Sequence, residues 1–356
     1  MQKIKLYTLL CLCIVSVTVI VFAGGCSAQS GGIDDINTTN TTDNFLESTI
    51  PSMTSGTEVT DSTEASSAET SETTETEYAI DTDTEYGIME IYVFAIGKAD
   101  AILITTENHT VMIDTGETKD GLRIVEYLRN RDITEIDDLI ITHFHKDHVG
   151  GASAIIQNLD VKEVIVPNYG KQSKQYDRFI AAMNEAGLEL NILTETMEFT
   201  LDNSVFTVYP PQLAYYDYSG DNANDEDNDV ENGITPNEND FSIVVSVKHG
   251  NNNFLFTGDA MGERLGELLL DENIMNTQYD YLKVPYHGRY NEGCIKFINA
   301  IKPKYAVMTC SSDPTDGSGD DRVVSALEEA GVGVYLTKNG DVYCVSNGET
   351  LMMSYK

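Results

Sequence analysis

Positive charge is what this sequence most lacks. Its 356 residues include 22 lysines and arginines against 58 aspartates and glutamates, which gives a formal net charge of −36. Non-specific binding to nucleic acid depends on Lys and Arg side chains that face phosphates, so this balance argues against a protein that coats DNA or RNA. Prolines and glycines, at 8 and 27 residues, are too few for a collagen-like chain, and a hydrophobic content of 41 % excludes disorder throughout.

Cysteine pairs of the metal-binding type are also absent, because no two of the six cysteines have C-x-x-C spacing. Two cysteines lie in an apolar leader, and Cys26 directly follows it. The other three are expected to pack as small buried residues or to form at most one disulfide. They are Cys294, Cys310 and Cys344.

The leader has the pattern of a secretory signal peptide. Lys3 and Lys5 precede residues 6–23, which are apolar or small throughout. The following Ala23-Gly24-Gly25-Cys26 resembles a bacterial lipobox, which predicts a signal peptide over residues 1–26 and a lipid on Cys26. An uncleaved helical anchor and free secretion are the alternatives, since 18 residues at about 1.5 Å each nearly cross a ~30 Å hydrocarbon layer. All three predict a location outside the cytoplasm, with membrane attachment through Cys26 or through the N-terminal helix.

The composition of residues 27–86 predicts a disordered tether. They contain 24 Ser and Thr, 14 Asp and Glu, and no Lys or Arg. Apolar side chains are too sparse to offset the entropy lost on ordering this segment. The tether leaves residues 87–356 as the folded domain.

The folded domain shows short apolar strands that alternate with amphipathic helices, which predicts an α/β protein. Strands are expected at residues 89–95, 101–105, 110–114, 138–142, 161–167, 204–209, 241–248, 253–257, 281–284, 305–309, 332–337 and 342–345. Helices are expected at residues 121–131, 151–159, 175–186, 261–270, 293–300 and 321–330. Leu122, Val125 and Leu128 are expected to form the buried stripe of the first helix. The repetition of strands followed by helices suggests two facing sheets with helices outside.

A cluster of histidines follows the predicted strand at residues 138–142. The sequence there reads Thr142-His143-Phe144-His145-Lys146-Asp147-His148-Val149-Gly150-Gly151, with three of the six histidines of the chain. Packing alone does not explain three imidazoles and a carboxylate within six residues. Imidazole nitrogen and carboxylate oxygen are ligands of Zn²⁺ and similar ions, so the cluster predicts a metal site.

These residues match the H-x-H-x-D-H motif, and the chain resembles the metallo-β-lactamase superfamily. It is most similar to the hydrolase domain of the ComEC/Rec2 competence proteins and their secreted relatives. The similarity rests on Ile96-Gly97-Lys98-Ala99-Asp100-Ala101-Ile102-Leu103-Ile104 against V-G-Q-G-D-A-I-L-I, and on I-D-T-G at residues 113–116. Residues 239–245 and 254–259 resemble N-x-x-S-I-V and F-L-L-T-G-D, and residues 282–288 resemble L-K-V-x-H-H-G. The resemblance covers residues 87–356 and implies an αββα sandwich of two mixed sheets, with helices outside and the metal site at one edge.

The resemblance also implies which residues bind metal. His143 and His145 would hold one ion, Asp147 and His148 the other, Asp259 would bridge both, and His287 would complete the second site. The expected cofactor is Zn²⁺, as one or two ions, with Mn²⁺ as an alternative. The carboxylates of Asp114 and Asp100 are expected to hold the ligands by hydrogen bonds.

The sequence departs from the family pattern at three places. The third histidine of the first site is missing: His249 is expected to be an exposed turn residue, and Asn168 and Tyr169 offer only weak ligands. The G-H-P of the competence relatives is replaced by residues 311–321, which contain no histidine. Tyr286 replaces the first histidine of H-H-G.

A site of this kind implies hydrolysis by a metal-bound hydroxide, and paired ions suit phosphodiesters. Asp147 would orient the water, and Tyr286 or His287 would assist the leaving group. Lys146 and Arg289 would give local affinity for anions, unless they are ordinary surface charges. The leading prediction is a phosphodiesterase or nuclease related to DNA uptake or processing, with single-stranded DNA as a possible partner. The alternatives are a hydrolase of lactones, β-lactams or another small substrate, and a non-catalytic binding module. No protein partner is inferred.

Residues 217–240 form an acidic insertion with nine Asp and Glu and no Lys or Arg. We expect a solvated or disordered loop there. The alternating Asp225, Asp227 and Asp229 leave calcium binding as the alternative, although Val230 stands where a calcium loop requires glycine.

Overall fold

The computed structural model describes residues 80–218 and 236–356. The predicted leader, most of the tether and residues 219–235 of the acidic insertion lie outside the described residues. Seventeen strands occur in the described part: β1 (Met89–Val93), β2 (Ala101–Thr105), β3 (Thr110–Thr115), β4 (Glu135–Ile140), β5 (Asp160–Pro167), β6 (Gly170–Lys171), β7 (Leu190–Leu193), β8 (Met197–Leu201), β9 (Ser204–Tyr209), β10 (Asp217–Tyr218), β11 (Val244–His249), β12 (Asn252–Phe256), β13 (Tyr281–Lys283), β14 (Tyr305–Met308), β15 (Gly333–Leu336), β16 (Val342–Ser346) and β17 (Leu351–Tyr355).

Eight α-helices connect these strands in the same part of the chain. They are α1 (Gly121–Asn130), α2 (Lys146–Val149), α3 (Ala152–Asn158), α4 (Lys174–Ala186), α5 (Gly262–Leu268), α6 (Glu272–Met275), α7 (Glu292–Ile301) and α8 (Asp321–Glu329). Short 3₁₀ turns are found at Glu238–Phe241, Pro285–Gly288 and Thr337–Asn339. Among the described residues, no helix has the length and apolar character needed to span a membrane.

The strands form two large mixed sheets. The first has the order β17-β16-β1-β2-β3-β4-β5-β7, and it is antiparallel from β17 to β3 and parallel from β3 to β7. The second has the order β15-β14-β13-β12-β11-β9-β8, and it is parallel from β15 to β12 and antiparallel beyond. A separate two-stranded sheet joins β6 and β10.

Three apolar clusters show that the two sheets face each other. Between them, side chains such as Ile91 and Ile113 of the first sheet meet Val245 and Phe254 of the second. The outer face of the first sheet packs on α1, α3 and α4, and that of the second packs on α5, α7 and α8. Burial of both sheet faces accounts for the nearly continuous apolar runs in the central strands. The predicted αββα sandwich is confirmed.

The buried face of helix α1 differs from the predicted one. Ile124, Val125 and Leu128 are buried, whereas Leu122 is 64 % exposed, so the prediction for Leu122 is wrong. The buried face starts at Gly121, where an added Cβ would lie 2.7 Å from the carbonyl oxygen of Gly151. This close approach sets an i, i+3, i+4, i+7 face that leaves Leu122 outside.

His249 is not the exposed turn residue predicted from the sequence. It ends β11 and is buried, with Nδ1 at 2.9 Å from Ser346 Oγ and Nε2 at 3.0 Å from the carbonyl oxygen of Tyr86. Tyr86, at the end of the predicted tether, covers Gly348, where an added Cβ would meet its ring at 2.4 Å. His249 therefore connects Tyr86, at the start of the domain, with β16 of the last hairpin.

The other end of the sandwich is formed by residues that follow parallel strands. Asp114 lies at the end of β3, His143 follows β4, Asp259 follows β12, His287 follows β13 and Thr309 follows β14. The carboxyl ends of neighbouring parallel strands lie at one edge of a sheet. The two sheets thus deliver polar side chains to a common edge, where the histidine cluster is found.

Candidate metal centre

The turn that carries the histidines is held by Asp114. This buried residue has a positive φ of 58°, and its carboxylate accepts hydrogen bonds from the backbone N–H of Thr142 at 2.8 Å and from the Thr142 hydroxyl at 2.7 Å. The same carboxylate lies 2.7 Å from His148 Nδ1. Burial raises the pKa of Asp114, and the neighbouring His148 offsets part of this effect. Asp114 thereby fixes both the backbone of the turn and the His148 ring.

Each of the four imidazoles at this edge has one nitrogen held by a protein group. His143 Nδ1 lies 3.1 Å from Thr142 Oγ1, and His287 Nδ1 lies 3.0 Å from Thr309 Oγ1. His145 Nε2 lies 3.2 Å from Glu238 Oε2. The opposite nitrogens face the interior of the site: His143 Nε2 and His145 Nδ1 are 3.0 Å apart, and His148 Nε2 and His287 Nε2 have no hydrogen-bond partner.

Asp259 lies beside these nitrogens. It follows Gly258, whose φ of +51° forms the turn after β12. Its Oδ2 lies 3.3 Å from His148 Nε2 and 2.9 Å from His287 Nε2, at angles that form no hydrogen bond with either ring. Two ligands bound at about 2.0–2.1 Å to one tetrahedral ion are about 3.3 Å apart. Buried nitrogens without partners around a carboxylate are therefore the arrangement that a divalent cation fits.

The structure brings all six predicted ligands to this edge. Ligand atoms within 4.8 Å of one another form overlapping groups, which include His143–His148–Asp259 and Asp147–His148–His287. Asp259 belongs to the first group and lies 2.9 Å from the His287 of the second, so it contacts both candidate ligand groups. Asp147 Oδ2 lies 3.5 Å from His287 Nε2.

The charges of the site also favour a cation. Burial opposes protonation of His148 and His287, but Asp259 and neighbouring carboxylates outweigh it; they raise the pKa of His287 to about 10 and that of His148 well above its usual value. Burial likewise opposes the charge of Asp147, yet the close contact with the His287 imidazole holds the pKa of this carboxyl below its usual range. In the metal-free protein, the positive charges of protonated His148 and His287 thus offset the negative charges of the buried carboxylates. A bound divalent ion would replace these protons.

Lys283 is a member of the site to which sequence analysis assigned no role. It is fully buried on β13, donates to the carbonyl oxygen of Gly258 at 2.9 Å, and lies 3.5 Å from Asp259 Oδ1. It also forms an ion pair with Asp100, which accepts a hydrogen bond from Thr309. Asp100 thus contacts Thr309, and its Oδ1 also lies 3.3 Å from His287 Nδ1. The signal in the sequence was a charged residue inside an otherwise apolar buried strand.

Glu238 is the second member that was missed. Only 4 % exposed, it contacts His145 and Lys171, and its Oε1 accepts a hydrogen bond from the Tyr169 hydroxyl at 2.8 Å. Burial opposes its charge, but His145 and Lys171 outweigh burial and lower the pKa of Glu238. The Tyr169 hydroxyl also accepts from the backbone N–H of Phe144, so this predicted weak ligand supports Glu238. Asn168 is half-buried beside it.

The prediction of a solvated or disordered loop over residues 217–240 is therefore wrong for residues 238–240. Glu238, Asn239 and Asp240 are buried in a 3₁₀ turn, and Asp240 accepts a hydrogen bond from the backbone N–H of Arg264 at 3.1 Å. The high charge of the segment concealed these contacts, because the partners are far away in the sequence. The candidate calcium ligands fall in residues 219–235, outside the described part.

Tyr286 and His287 lie in a strained turn. Both have positive φ, at 49° and 53°, and such conformations cost about 1–3 kcal/mol for a residue other than glycine. Arg289 donates to the Tyr286 hydroxyl at 2.8 Å and to the carbonyl oxygen of Asp316 at 2.8 Å. The predicted substrate residue Arg289 is thus engaged with Tyr286 and the segment after β14.

A cavity of about 320 Å³ opens beside the ligand cluster. His145, Lys146 and Asp147 line it, together with Lys98 and Lys119. Lys98 Nζ lies 3.7 Å from Asp147 Oδ2. The predicted substrate residue Lys146 therefore lines a cavity together with two further lysines.

The three buried cysteines Cys294, Cys310 and Cys344 are free thiols and form no disulfide. Burial raises the pKa of Cys294 to about 12. They are small buried residues of the core.

Comparisons with known proteins agree with this geometry. A family model described as metallo-beta-lactamase superfamily matches residues 96–310. ComE operon protein 3 of Bacillus subtilis (strain 168) is 22 % identical in a match 272 residues long, which covers 71 % of this chain and 32 % of that protein. Recombination protein 2 of Haemophilus influenzae is 25 % identical in a match 222 residues long, which covers 60 % of this chain and 23 % of that protein. The chain thus spans a third or less of the length of these relatives.

A similar solved structure is that of Igni18, described as a novel metallo hydrolase from Ignicoccus hospitalis. It has 15 % sequence identity and a TM-score of 0.44, and the match covers 72 % of this chain and 98 % of that one. The family model alone matches more than half of the present sequence. The αββα sandwich and the histidine cluster agree with this match. The chain belongs to the metallo-beta-lactamase superfamily.

Proposed function

We propose that this protein is a metal-dependent phosphodiester hydrolase that acts on DNA in uptake or processing. The observation that carries the proposal is the cluster of His143, His148 and His287 around Asp259, beside a cavity whose lining includes three lysines. His145 Nδ1 lies 3.0 Å from His143 Nε2 in the same cluster. The ligands suit Zn²⁺ or Mn²⁺, and the lysines suit an anionic substrate. The similarity to ComE operon protein 3 and to Recombination protein 2 supports DNA as that substrate.

The residues of the chain divide the work of hydrolysis. His143, His145, His148, Asp147, Asp259 and His287 would hold one or two divalent ions. Such ions lower the pKa of water towards neutrality and offset charge on the attacked phosphate. Asp147 is held between His287 and Lys98, where its carboxylate can accept a proton from the attacking water.

Tyr286 is assigned to the leaving group. Arg289 donates a hydrogen bond to the Tyr286 oxygen and its guanidinium lies 5.1 Å from the centre of the ring. These two contacts fix the position of the ring, and we assign the phenol hydroxyl to assist the oxygen that departs from phosphorus.

The location of the protein is part of the same proposal. Lys3, Lys5 and the apolar residues 6–23 support export, and the small residues before Cys26 support a lipid anchor. We expect Cys26→Ser to abolish incorporation of labelled fatty acid and to move the protein out of the membrane fraction. Retention in the membrane without the label would instead favour the helical anchor.

The activity is tested by measuring metal content and three hydrolyses side by side. Bis-p-nitrophenyl phosphate and single-stranded DNA are expected to be cleaved, and nitrocefin is not. His148→Ala should abolish cleavage and metal binding, and His109→Ala, on a half-buried loop residue away from the cluster, is the matched control. Activity unaffected by His148→Ala would refute the enzyme assignment. Turnover of nitrocefin or a lactone alone would refute the phosphodiester substrate.

A further inference from the structure

Thr309 joins the candidate ligand His287 to a buried chain of polar contacts. Its hydroxyl oxygen lies 3.0 Å from His287 Nδ1, and the hydroxyl donates to Asp100 Oδ1 at 2.5 Å. The other oxygen of Asp100 forms an ion pair with Lys283. All four side chains are at most 1 % exposed. The connection between His287 and the buried ammonium group of Lys283 therefore passes through Thr309 and Asp100.

The chemistry of these groups determines the direction of each hydrogen bond. An ionised carboxylate only accepts hydrogen bonds, and a hydroxyl has a single proton to donate. The ammonium group of Lys283 stabilises the ionised form of Asp100, so the Thr309 proton points to Asp100. The Thr309 oxygen can then only accept from His287, and Nδ1 is the ring nitrogen that carries the proton in this contact.

The proton on Nδ1 decides which nitrogen of His287 can bind an ion. That nitrogen is Nε2, which lies 2.9 Å from Asp259 Oδ2 and 3.5 Å from Asp147 Oδ2. Nε2 is buried and has no hydrogen-bond partner. A hydroxyl that holds the proton on Nδ1 therefore prepares His287 as a metal ligand, because a ligating histidine usually donates its other ring N–H to a protein group.

The surroundings hold the Thr309 hydroxyl in one direction. Threonine has two heavy atoms on Cβ, which restricts χ1. The backbone N–H of Asp100 donates to the carbonyl oxygen of Asp147 at 3.1 Å, and the backbone N–H of Gly116 donates to the carbonyl oxygen of Asp100 at 2.7 Å. Asp100 Oδ1 lies 3.3 Å from His287 Nδ1, which is farther than the Thr309 oxygen. The hydroxyl is thus the nearer contact of the ring, and the anchored carboxylate supports it.

The same arrangement recurs in the first sheet. Thr142 lies just beyond β4, as Thr309 lies just beyond β14. The Thr142 hydroxyl donates to Asp114 Oδ2 at 2.7 Å, and its oxygen lies 3.1 Å from His143 Nδ1. In both sheets, a threonine beyond a strand end therefore places its hydroxyl between a buried aspartate and Nδ1 of a candidate ligand.

We propose that Thr309 is a positioning residue of the metal centre, which holds the His287 ring with its proton on Nδ1 and with Nε2 towards the ion. The inference rests on the metal-dependent function proposed above, through its metal centre and not through its substrate. Thr309 acts through His287. Loss of its hydroxyl should therefore weaken metal binding more than it weakens the fold.

The test replaces Thr309 by valine, which has nearly the same shape and no hydroxyl. Zn²⁺ affinity of the full chain is measured by competition with a chromophoric chelator, and Co²⁺ substitution gives an absorption spectrum. We expect Thr309→Val to bind Zn²⁺ about 10–100-fold more weakly in the step that His287→Ala abolishes, with an altered Co²⁺ spectrum. Thr309→Ser keeps a hydroxyl and should bind within threefold of the original chain. Equal affinity of Thr309→Val and the original chain would overturn the proposal.

Thr337→Val is the matched control. Thr337 is also buried, and its hydroxyl contacts the backbone N–H and the carbonyl oxygen of Cys310 at 2.8 and 3.2 Å. This variant also removes one buried hydroxyl, so its urea midpoint should fall about as much as that of Thr309→Val. Its Zn²⁺ affinity should stay within threefold of the original. An equal loss of Zn²⁺ affinity in both variants would assign the effect to the fold and overturn the proposal.

A measurement on the original chain tests the position of the proton directly. In Zn²⁺-loaded protein with isotope-labelled histidine, nuclear magnetic resonance identifies the His287 ring by its cross-relaxation with Thr309. We expect a proton on Nδ1 and none on Nε2. A proton on Nε2 would contradict the proposal even if Thr309→Val does not fold.

The two proposals fail in different ways. If the original chain binds Zn²⁺ and cleaves bis-p-nitrophenyl phosphate while Thr309→Val binds Zn²⁺ equally well, only the role of Thr309 is refuted. If Thr309→Val weakens Zn²⁺ binding but the original chain cleaves no phosphodiester, the role of Thr309 stands and the phosphodiester function is refuted. A chain that binds no divalent ion would refute both.

Discussion

Replacing Glu238 by glutamine should weaken metal binding without touching a ligand. Glu238 Oε2 lies 3.2 Å from His145 Nε2, and this contact leaves Nδ1 as the nitrogen that faces His143 Nε2 at 3.0 Å. Loss of a carboxylate that orients a ligating imidazole costs about 10–100-fold in metal affinity, or about 1.4–2.8 kcal/mol. The first site also lacks its third histidine, so few other ligands compensate.

The assay is competition for Zn²⁺ with a chromophoric chelator, followed by the absorption spectrum of the Co²⁺-substituted protein. Glu238→Gln should lower the affinity of the same metal-binding step as His145→Ala. The affinity of the step that depends on His148 and Asp147 should stay within threefold of its original value. The exposed Glu263→Gln on α5 is the matched control.

A second variant separates a loss of folding stability from a loss of metal affinity. Glu238→Gln breaks the buried ion pair between Glu238 and Lys171, which costs about 3–5 kcal/mol. The double variant Glu238→Gln/Lys171→Met removes both charges and should recover most of the unfolding free energy, but not the metal affinity. Metal affinity within threefold of the original in both variants would refute the role of Glu238.

Three further predictions concern the free energy of unfolding, measured with urea. Lys283→Met leaves the buried Asp100 without its ion partner and should destabilise the metal-free protein by about 3–5 kcal/mol; a loss under 1 kcal/mol would contradict this. Burial, with Glu163 and Asp137 nearby, raises the pKa of Asp138 from 3.8 to about 6, so its charge opposes folding above pH 6 and this cost disappears as the pH falls towards 4. Two pKa units correspond to about 2.7 kcal/mol, which solvent screening reduces to about 1–2. Asp138→Asn should therefore stabilise the protein at pH 8 but not at pH 4, unlike the exposed Glu126→Gln; equal effects at both pH values would refute this. Leu128→Ala should cost about 2–5 kcal/mol and the exposed Leu122→Ala under about 0.5, and a cost of about 2 kcal/mol or more for both would show that α1 packs as the sequence predicted.

Local patterns predicted the parts of the site that are close in sequence. His143, His145, Asp147 and His148 lie within six residues, so one turn after one strand brings them together. Asp259 and His287 were placed from the resemblance, because only the family pattern connects these separate strand ends. The strands flanking them were also predicted within a few residues, since alternating burial is visible in a short window.

Contacts between distant segments were not predictable in the same way. Glu238 and Tyr169 are 69 residues apart, and the acidic composition around Glu238 favoured a solvated loop. His249 was expected in solvent because its burial depends on Tyr86, from the end of the predicted tether. Strands β7, β8 and β17 were missed, since their side chains are largely half-buried or exposed and lack a strong apolar pattern.

The position of β1 has a consequence for the order of folding. Its residues Met89–Val93 pair with β2 on one side, a neighbour available as soon as Thr105 has been made. The other side pairs with β16, between Ser346 and Val342, at the opposite end of the domain sequence. Until this late strand arrives, β1 presents an open apolar edge of the kind that templates aggregation. A chain arrested before residue 342 should therefore remain dependent on chaperones, even though every candidate metal ligand has already been synthesised.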